Sequence, residues 1–117
     1  MSDCIFCKIV RGEIPAKKVY EDEFIFAFHD IAPQRDVHIL VIPKSHITSL
    51  ATTTPADEAV LGRIMAKAGE IAVANGSPDG FRFIINTGEI GMQEVAHLHA
   101  HIVGGTVPVG PMLKKQH

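Results

Sequence analysis

The sequence predicts an α+β fold, an antiparallel sheet packed by helices on one side. Three observations carry that prediction. Five short segments rich in β-branched and aromatic residues are bounded by Gly, Pro, Asn or Asp. One longer segment repeats its apolar residues at helical spacing. The strand-like segments gather on both sides of that helix instead of alternating with helices one for one. Residues 5–10 are expected to form a short helix stopped by Gly12, and Pro15 breaks the chain beyond it. Residues 17–20 and 24–28 follow as two strands, with Glu21-Asp22-Glu23 as the turn between them. Residues 37–42 (VHILVI) make the third strand, closed by Pro43. The long helix opens at Thr54, a good N-cap, with Pro55 at the first helical position and Asp57 three residues after the cap. Val60, Leu61, Ile64, Met65, Ala68, Ile71 and Ala72 form its apolar stripe, and Asn75-Gly76 ends it. Residues 81–85 are the fourth strand, residues 86–94 a loop bearing Gly88 and Gly91, and residues 98–103 the fifth strand, released by Gly104-Gly105.

At 117 residues the chain is expected to be a single domain spanning residues 1–117. A chain of this length buries roughly two-thirds of its unfolded surface, so it builds a core without disulfides. Hydrophobic residues make up 46% and charged residues 21%, which excludes disorder as the default. The net charge of −2 argues against a nucleic-acid partner, which needs a basic face. No apolar run approaches the ~20 residues that cross a bilayer, so no membrane partner is expected. Asp3, Lys8 and Arg11 interrupt the start where a signal peptide needs an apolar stretch. A cytoplasmic location is the expectation. Cys4 and Cys7 are the only cysteines, and in a reducing compartment a pair three apart points to metal or redox chemistry more than to a disulfide.

The unusual feature is histidine: seven in all, three of them in His97-Leu98-His99-Ala100-His101-Ile102-Val103. Strand side chains alternate, so the three histidines share one face while Leu98, Ala100 and Ile102 face a core. A solvated polar face is the competing explanation, but three adjacent imidazoles repel when protonated and add little to a core. Two histidines at i and i+2 can share a zinc ion. Residues i and i+4 lie about 13 Å apart, so one ion cannot hold all three. At least one histidine has another task. A neutral imidazole is a good nucleophile near pH 7 and forms N–P bonds that water later cleaves. A hydrogen bond from its Nδ1 to a carbonyl would fix the tautomer that leaves Nε2 free to attack.

The run resembles the signature of the histidine triad (HIT) family. CIFCKIVRGEIP at 4–15, AFHDIAP at 27–33, HILVIPKSH at 38–46 and residues 91–105 are similar to blocks of its Hint branch. The resemblance implies an α+β fold with a five-stranded antiparallel sheet, one long helix and a short N-terminal helix. It also implies a homodimer whose strands form one ten-stranded sheet. The implied activity is hydrolysis of purine nucleoside phosphoramidates, adenylated lysine among them, with AMP or GMP bound. By that resemblance His99 is the nucleophile that becomes nucleotidylated, His101 contacts the phosphate, and His38 is the fourth active-site histidine. Asn86 matches the asparagine at the phosphate end, and Asp30 the carboxylate that takes the ribose hydroxyls. Phe6, Ile9, Phe28, His29 and Ile31 match the purine pocket. Loop amides near Gln93, Glu94 and Val95 are expected to face the phosphate, where glycines relieve crowding. Without the resemblance, Asp30 and Asn86 would read as turn residues, and Phe6, Phe28 and Ile31 as core.

Cys4, Cys7, His46 and His97 supply two thiolates and two imidazoles, a set zinc accepts as a closed tetrahedral site. The resemblance extends to members that hold structural zinc with these four positions. Ala96 stands where an aromatic residue is more usual, Met92 where glycine is common, and Glu94 where many relatives have serine. The tail after Gly110 lacks the aromatic-proline ending of eukaryotic relatives. Other readings are a dinucleoside polyphosphate hydrolase, a nucleotide-binding module, and a hydrolase with catalytic zinc. Gly104-Gly105 after the triad favours the Hint branch over the first of these.

Overall fold

A computed structural model describes residues 4–113. Its elements are α1 (Ile5–Val10), β1 (Lys18–Glu21), β2 (Ile25–His29), β3 (Val37–Pro43), α2 (Glu58–Ala74), β4 (Phe81–Ile85) and β5 (Ala100–Gly104). Two short 3-10 turns, Leu50–Thr52 and Pro55–Asp57, precede α2. The five strands form one sheet in the order β1-β2-β3-β5-β4, every neighbouring pair antiparallel. The α+β architecture expected from the sequence is the one observed.

Local chemistry moves three boundaries. The Asp22 carboxylate accepts from the amides of Phe24 (2.8 Å) and Ile25 (3.0 Å), which places the hairpin turn at 22–24. Glu21 therefore stays in the ladder opposite Phe26, and both strands sit one residue later than expected. Thr54 and Asp57 form the expected capping box, but the first turn it closes is 3-10, and α-helix begins at Glu58. The fifth strand begins at Ala100, not Leu98. The Leu98 amide donates to Ile47 O at 2.6 Å, in the segment after Pro43 ends β3.

The sheet is covered on both faces, which corrects the one-sided packing expected. On one face α2 sets Ile64, Ala68, Ile71 and Ala72 against Ile25, Ala27, Val37, Ile39, Val41, Leu98, Ala100 and Ile102. On the other, α1 packs Phe6 and Ile9 against Phe26, Phe28, Leu40 and Ile42. Each fully buried Ile or Leu contributes about 1.5–3 kcal/mol. Alternation along β3 explains the division: Val37, Ile39 and Val41 face α2, while His38, Leu40 and Ile42 face α1. The same alternation turns His99 and His101 toward the α1 face, beside His38.

Two glycines are demanded by close approach. A Cβ on Gly91 would lie 2.6 Å from Thr87 O and 2.7 Å from Thr87 N. A Cβ on Gly104 would collide with Ser77 Oγ. That hydroxyl is fully buried, donates to Gly80 O at 2.6 Å and accepts from the Gly105 amide at 3.0 Å. Gly104 is thus a strand residue under a polar clamp as well as the end of the fifth strand. Among the described residues no helix is long and apolar enough to cross a membrane.

Candidate functional site

The histidines sit where β3 and β5 run side by side. Leu40 pairs with His101 and His38 with Val103, so His38 and His101 are diagonal neighbours on one face. His38 Nε2 lies 2.9 Å from His101 Nδ1, and the ring centroids of His99 and His101 are 5.1 Å apart. Phe6 of α1 stacks edge-on against His97 and His99, at 5.8 and 5.1 Å.

The hydrogen bonds fix the tautomers. The His97 carbonyl can only accept, so His99 Nδ1 donates to it at 2.8 Å, and in the neutral ring Nε2 keeps its lone pair. The Gln34 amide can only donate, so His38 Nδ1 accepts from it at 3.0 Å. His38 Nε2 then carries the proton and donates to His101 Nδ1, which leaves the His101 proton on Nε2. Two neighbouring imidazoles are thereby set to opposite tasks: His99 offers a lone pair at Nε2 and His101 an N–H.

Burial, and then the fields of His99 and His38, push His101 down to about 4 against the opposing pull of Asp30. An unfolded histidine titrates near ~6.5. Between those values the unfolded chain binds a proton that the folded chain refuses. The contribution of His101 to stability is therefore whole above pH ~6.5 and lost as pH falls toward 4. Urea unfolding of metal-free protein is expected to show this decline, and His101→Gln to flatten it. A slope unchanged by that substitution would assign the decline to other groups.

Asp30 performs two jobs. Its Oδ1 accepts from the Ala32 amide at 2.8 Å, an Asx turn, while its Oδ2 lies 3.5 Å from His38 Nε2. A cavity of about 740 Å³ beside it is lined by Pro15, Lys17, His29, Asp30, Ile31 and His38, among others. Ile31 is fully exposed at this cavity. Phe6, Ile9 and Phe28, expected in the same pocket, are buried in the α1-side core and do not line this cavity, with Phe6 packed on the His99 ring. Their apolar bulk is what the two-faced sheet requires.

Asn86 follows β4 and shares a second cavity with His101. Of the three loop amides, the Gln93 N–H is taken by Gly88 O at 3.0 Å, which removes it as a donor to a ligand. The Gln93 side chain is also spent, accepting from Gly88 N and donating to Thr48 O and Val95 O. Gln93 is a loop brace. The amides of Glu94 and Val95 make no hydrogen bond among the described residues.

Cys4, Cys7, His46 and His97 also converge, with one ligand atom from each lying within 4.8 Å of the others. Cys4 Sγ is 3.3 Å from His97 Nδ1, and Cys7 Sγ is 3.3 Å from His46 Nδ1 and 3.6 Å from His97 Nδ1. The His97 Nε2–H donates to Pro43 O at 2.9 Å, so Nδ1 presents its lone pair to the thiols. This cluster can hold a metal ion. Sequence reasoning missed the residues that orient the rings, Gln34 and Pro43, because both act through backbone atoms.

Residues 11–107 match the family profile described as the HIT domain. The chain belongs to the HIT domain family. Protein HitA of Neisseria gonorrhoeae is 52% identical to this HIT protein over 107 residues, 92% of this chain and 100% of that one. The purine nucleoside phosphoramidase of Escherichia coli (strain K12) is 46% identical over 112 residues, 95% of this chain and 93% of that one. The crystal structure of a HIT family hydrolase from Legionella pneumophila Philadelphia 1 matches with a TM-score of 0.86 at 43% identity, covering 90% of this chain and 95% of that one.

Proposed function

We propose that this HIT protein hydrolyses purine nucleoside phosphoramidates by double displacement through His99. The observation that carries the reading is the pair of opposed tautomers: a free lone pair on His99 Nε2 beside an N–H on His101 Nε2. In the first displacement the Nε2–P bond forms, the P–N bond of the substrate breaks, and the departing nitrogen leaves as the amine, taking its proton from the water that attacks in the second displacement. In the second, water attacks phosphorus, the Nε2–P bond breaks, and the nucleoside monophosphate is released. The His97 carbonyl stabilises the imidazole as it gains positive charge, and His101 donates to the phosphoryl oxygens. The larger cavity takes the nucleoside, with Asp30 Oδ2 for the ribose hydroxyls and Ile31 for the base. Asn86 and the Glu94 and Val95 amides complete the phosphate site. The 46% identity to a named purine nucleoside phosphoramidase supports the same reading. The test is turnover of adenosine 5′-phosphoramidate, with AMP as product; a folded, nucleotide-binding protein that releases none overturns it.

We further propose that Cys4, Cys7, His46 and His97 hold a structural zinc ion. Ligands 2.0–2.3 Å from one tetrahedral ion lie about 3.3–3.8 Å apart; three sulfur–nitrogen separations of 3.3–3.6 Å fit, and all four ligand atoms lie within 4.8 Å of one another. Four protein ligands leave no open position for substrate, so the ion fixes α1 to the strand segment that carries the nucleophile.

Two copies pair through β4. That strand is an edge of the sheet, and α2, which packs on it, exposes Met65 and Val73. Edge-to-edge pairing gives a ten-stranded sheet. Light scattering is expected to return twice the 12.7 kDa chain mass, and a monomer mass at micromolar concentration overturns the dimer.

A further inference from the structure

The nucleoside cavity shares a wall with a smaller one, for His38 lines both. The second cavity, about 330 Å³, lies against His101 and Asn86 and is lined on its other side by the tail residues Val109, Pro111 and Met112. Its distinguishing content is two guanidinium groups, Arg35 and Arg82, which the mechanism above does not use. They reach it from different places. Arg82 is on β4, two residues before Ile84, which pairs with His101 and so shares its face. Arg35 comes from the loop that leads into β3.

Neither arginine faces a carboxylate within salt-bridge distance among the described residues. Arg35 donates to Gln34 O at 2.7 Å and to Val109 O at 3.3 Å, and Arg82 donates to Gly110 O. Each guanidinium has five N–H groups, so most of the donors in this pair are unspent. Two like charges lining one cavity, bonded only to neutral carbonyls among the described residues, stand out in a chain whose net charge is −2. The two cavities differ in charge: the nucleoside side carries Asp30, Asp36 and Lys17, whereas the second cavity carries two cations and, among the described residues, no carboxylate.

We propose that the second cavity receives the departing group, and that Arg35 and Arg82 select departing groups bearing an anion, a carboxylate or a phosphate. The inference rests on the phosphoramidase reading. With the nucleoside on the Asp30 side and phosphorus held between His99 and His101, this cavity is the space that adjoins His101 beyond the phosphate. A guanidinium pair matches a carboxylate or phosphate in bidentate fashion, and charge-assisted hydrogen bonds are about twice as strong as neutral ones. Arg35 and Arg82 act on specificity, through binding of a distal group, and touch no reacting bond.

The test compares adenosine phosphoramidates of one amino acid, joined through its amine, with the carboxyl group free or converted to a carboxamide. The free carboxylate is expected to raise kcat/KM about 10-fold or more, mainly through KM, and less so at high salt. In Arg35→Gln and Arg82→Gln that ratio is expected to fall toward one, whatever happens to the absolute rates. A dinucleoside polyphosphate, whose departing group is a phosphate, separates the two anions: whichever substrate loses more on the substitutions names the anion selected. If wild-type protein turns over both amino-acid substrates equally, the inference falls and the phosphoramidase reading stands. If no P–N substrate is cleaved, both fall.

Discussion

Replacing His99 with alanine is expected to lower turnover of adenosine 5′-phosphoramidate by about 10³–10⁵-fold while nucleotide binding persists. The size of the effect follows from what the residue supplies. A nucleophile splits one hard displacement into two easier ones, and its removal leaves only positioning and electrostatic stabilisation by the remaining donors. His101 keeps its proton on Nε2 through His38 and Gln34, none of which touches His99 Nδ1, so the phosphate donors survive the substitution. The buried His99 ring also rests on Phe6, and its loss leaves a void that destabilises the fold by a smaller amount. Thermal melting and AMP binding measured beside the kinetics separate the two effects. A variant that keeps more than a tenth of wild-type turnover would remove His99 from the central role. Loss of AMP binding along with turnover would reassign it to the binding site.

The parts of the fold that could be read from the sequence are those whose cause is local. Thr54, Pro55 and Asp57 announce the start of α2 because a capping box and a proline are short-range chemistry. The histidine alternation survives even though the ladder begins only at Ala100, because Leu98, Ala100 and Ile102 need the α2-side core. What stayed hidden is carried by atoms every residue has. The carbonyls of His97 and Pro43 and the amide of Gln34 set three ring tautomers, and no side-chain pattern marks a backbone group. The glycine-rich loop predicts Gln93 as a ligand donor, and in the structure its amide and side chain bond Gly88, Thr48 and Val95. Phe6, Ile9 and Phe28 lie in the α1-side core beside the histidines, where core and pocket wall have one apolar chemistry. Arg35 and Arg82 are 47 positions apart and singly unremarkable; only the sheet order brings them to one cavity.

Removing the metal is expected to cost stability before it costs chemistry. Cys4, Cys7, His46 and His97 lie at the start of α1, in the segment after β3 and in the segment before β5, so an ion held by them would close links of up to 93 residues. Without it, burial and the neighbouring Cys4 thiol push the Cys7 thiol up, and the pair reverts to two protonated thiols that bind each other weakly. Cys4→Ser or Cys7→Ser is expected to remove one zinc per chain and to destabilise the fold by about 3–5 kcal/mol, a fall in Tm of roughly 10–20 °C. Cys4 also caps α1 by accepting from the Cys7 amide, so its substitution is expected to be the more costly of the two. Chelation at neutral pH and low temperature, where the apo fold persists, is expected to leave most of the turnover, because His99, His101 and His38 are set by one carbonyl, one amide and each other. Zinc content, melting temperature and turnover measured on one preparation decide the matter. An unchanged Tm after complete zinc removal would refute the structural role. Immediate loss of turnover at unchanged Tm would instead make the ion part of the reaction, which a closed Cys₂His₂ set does not allow.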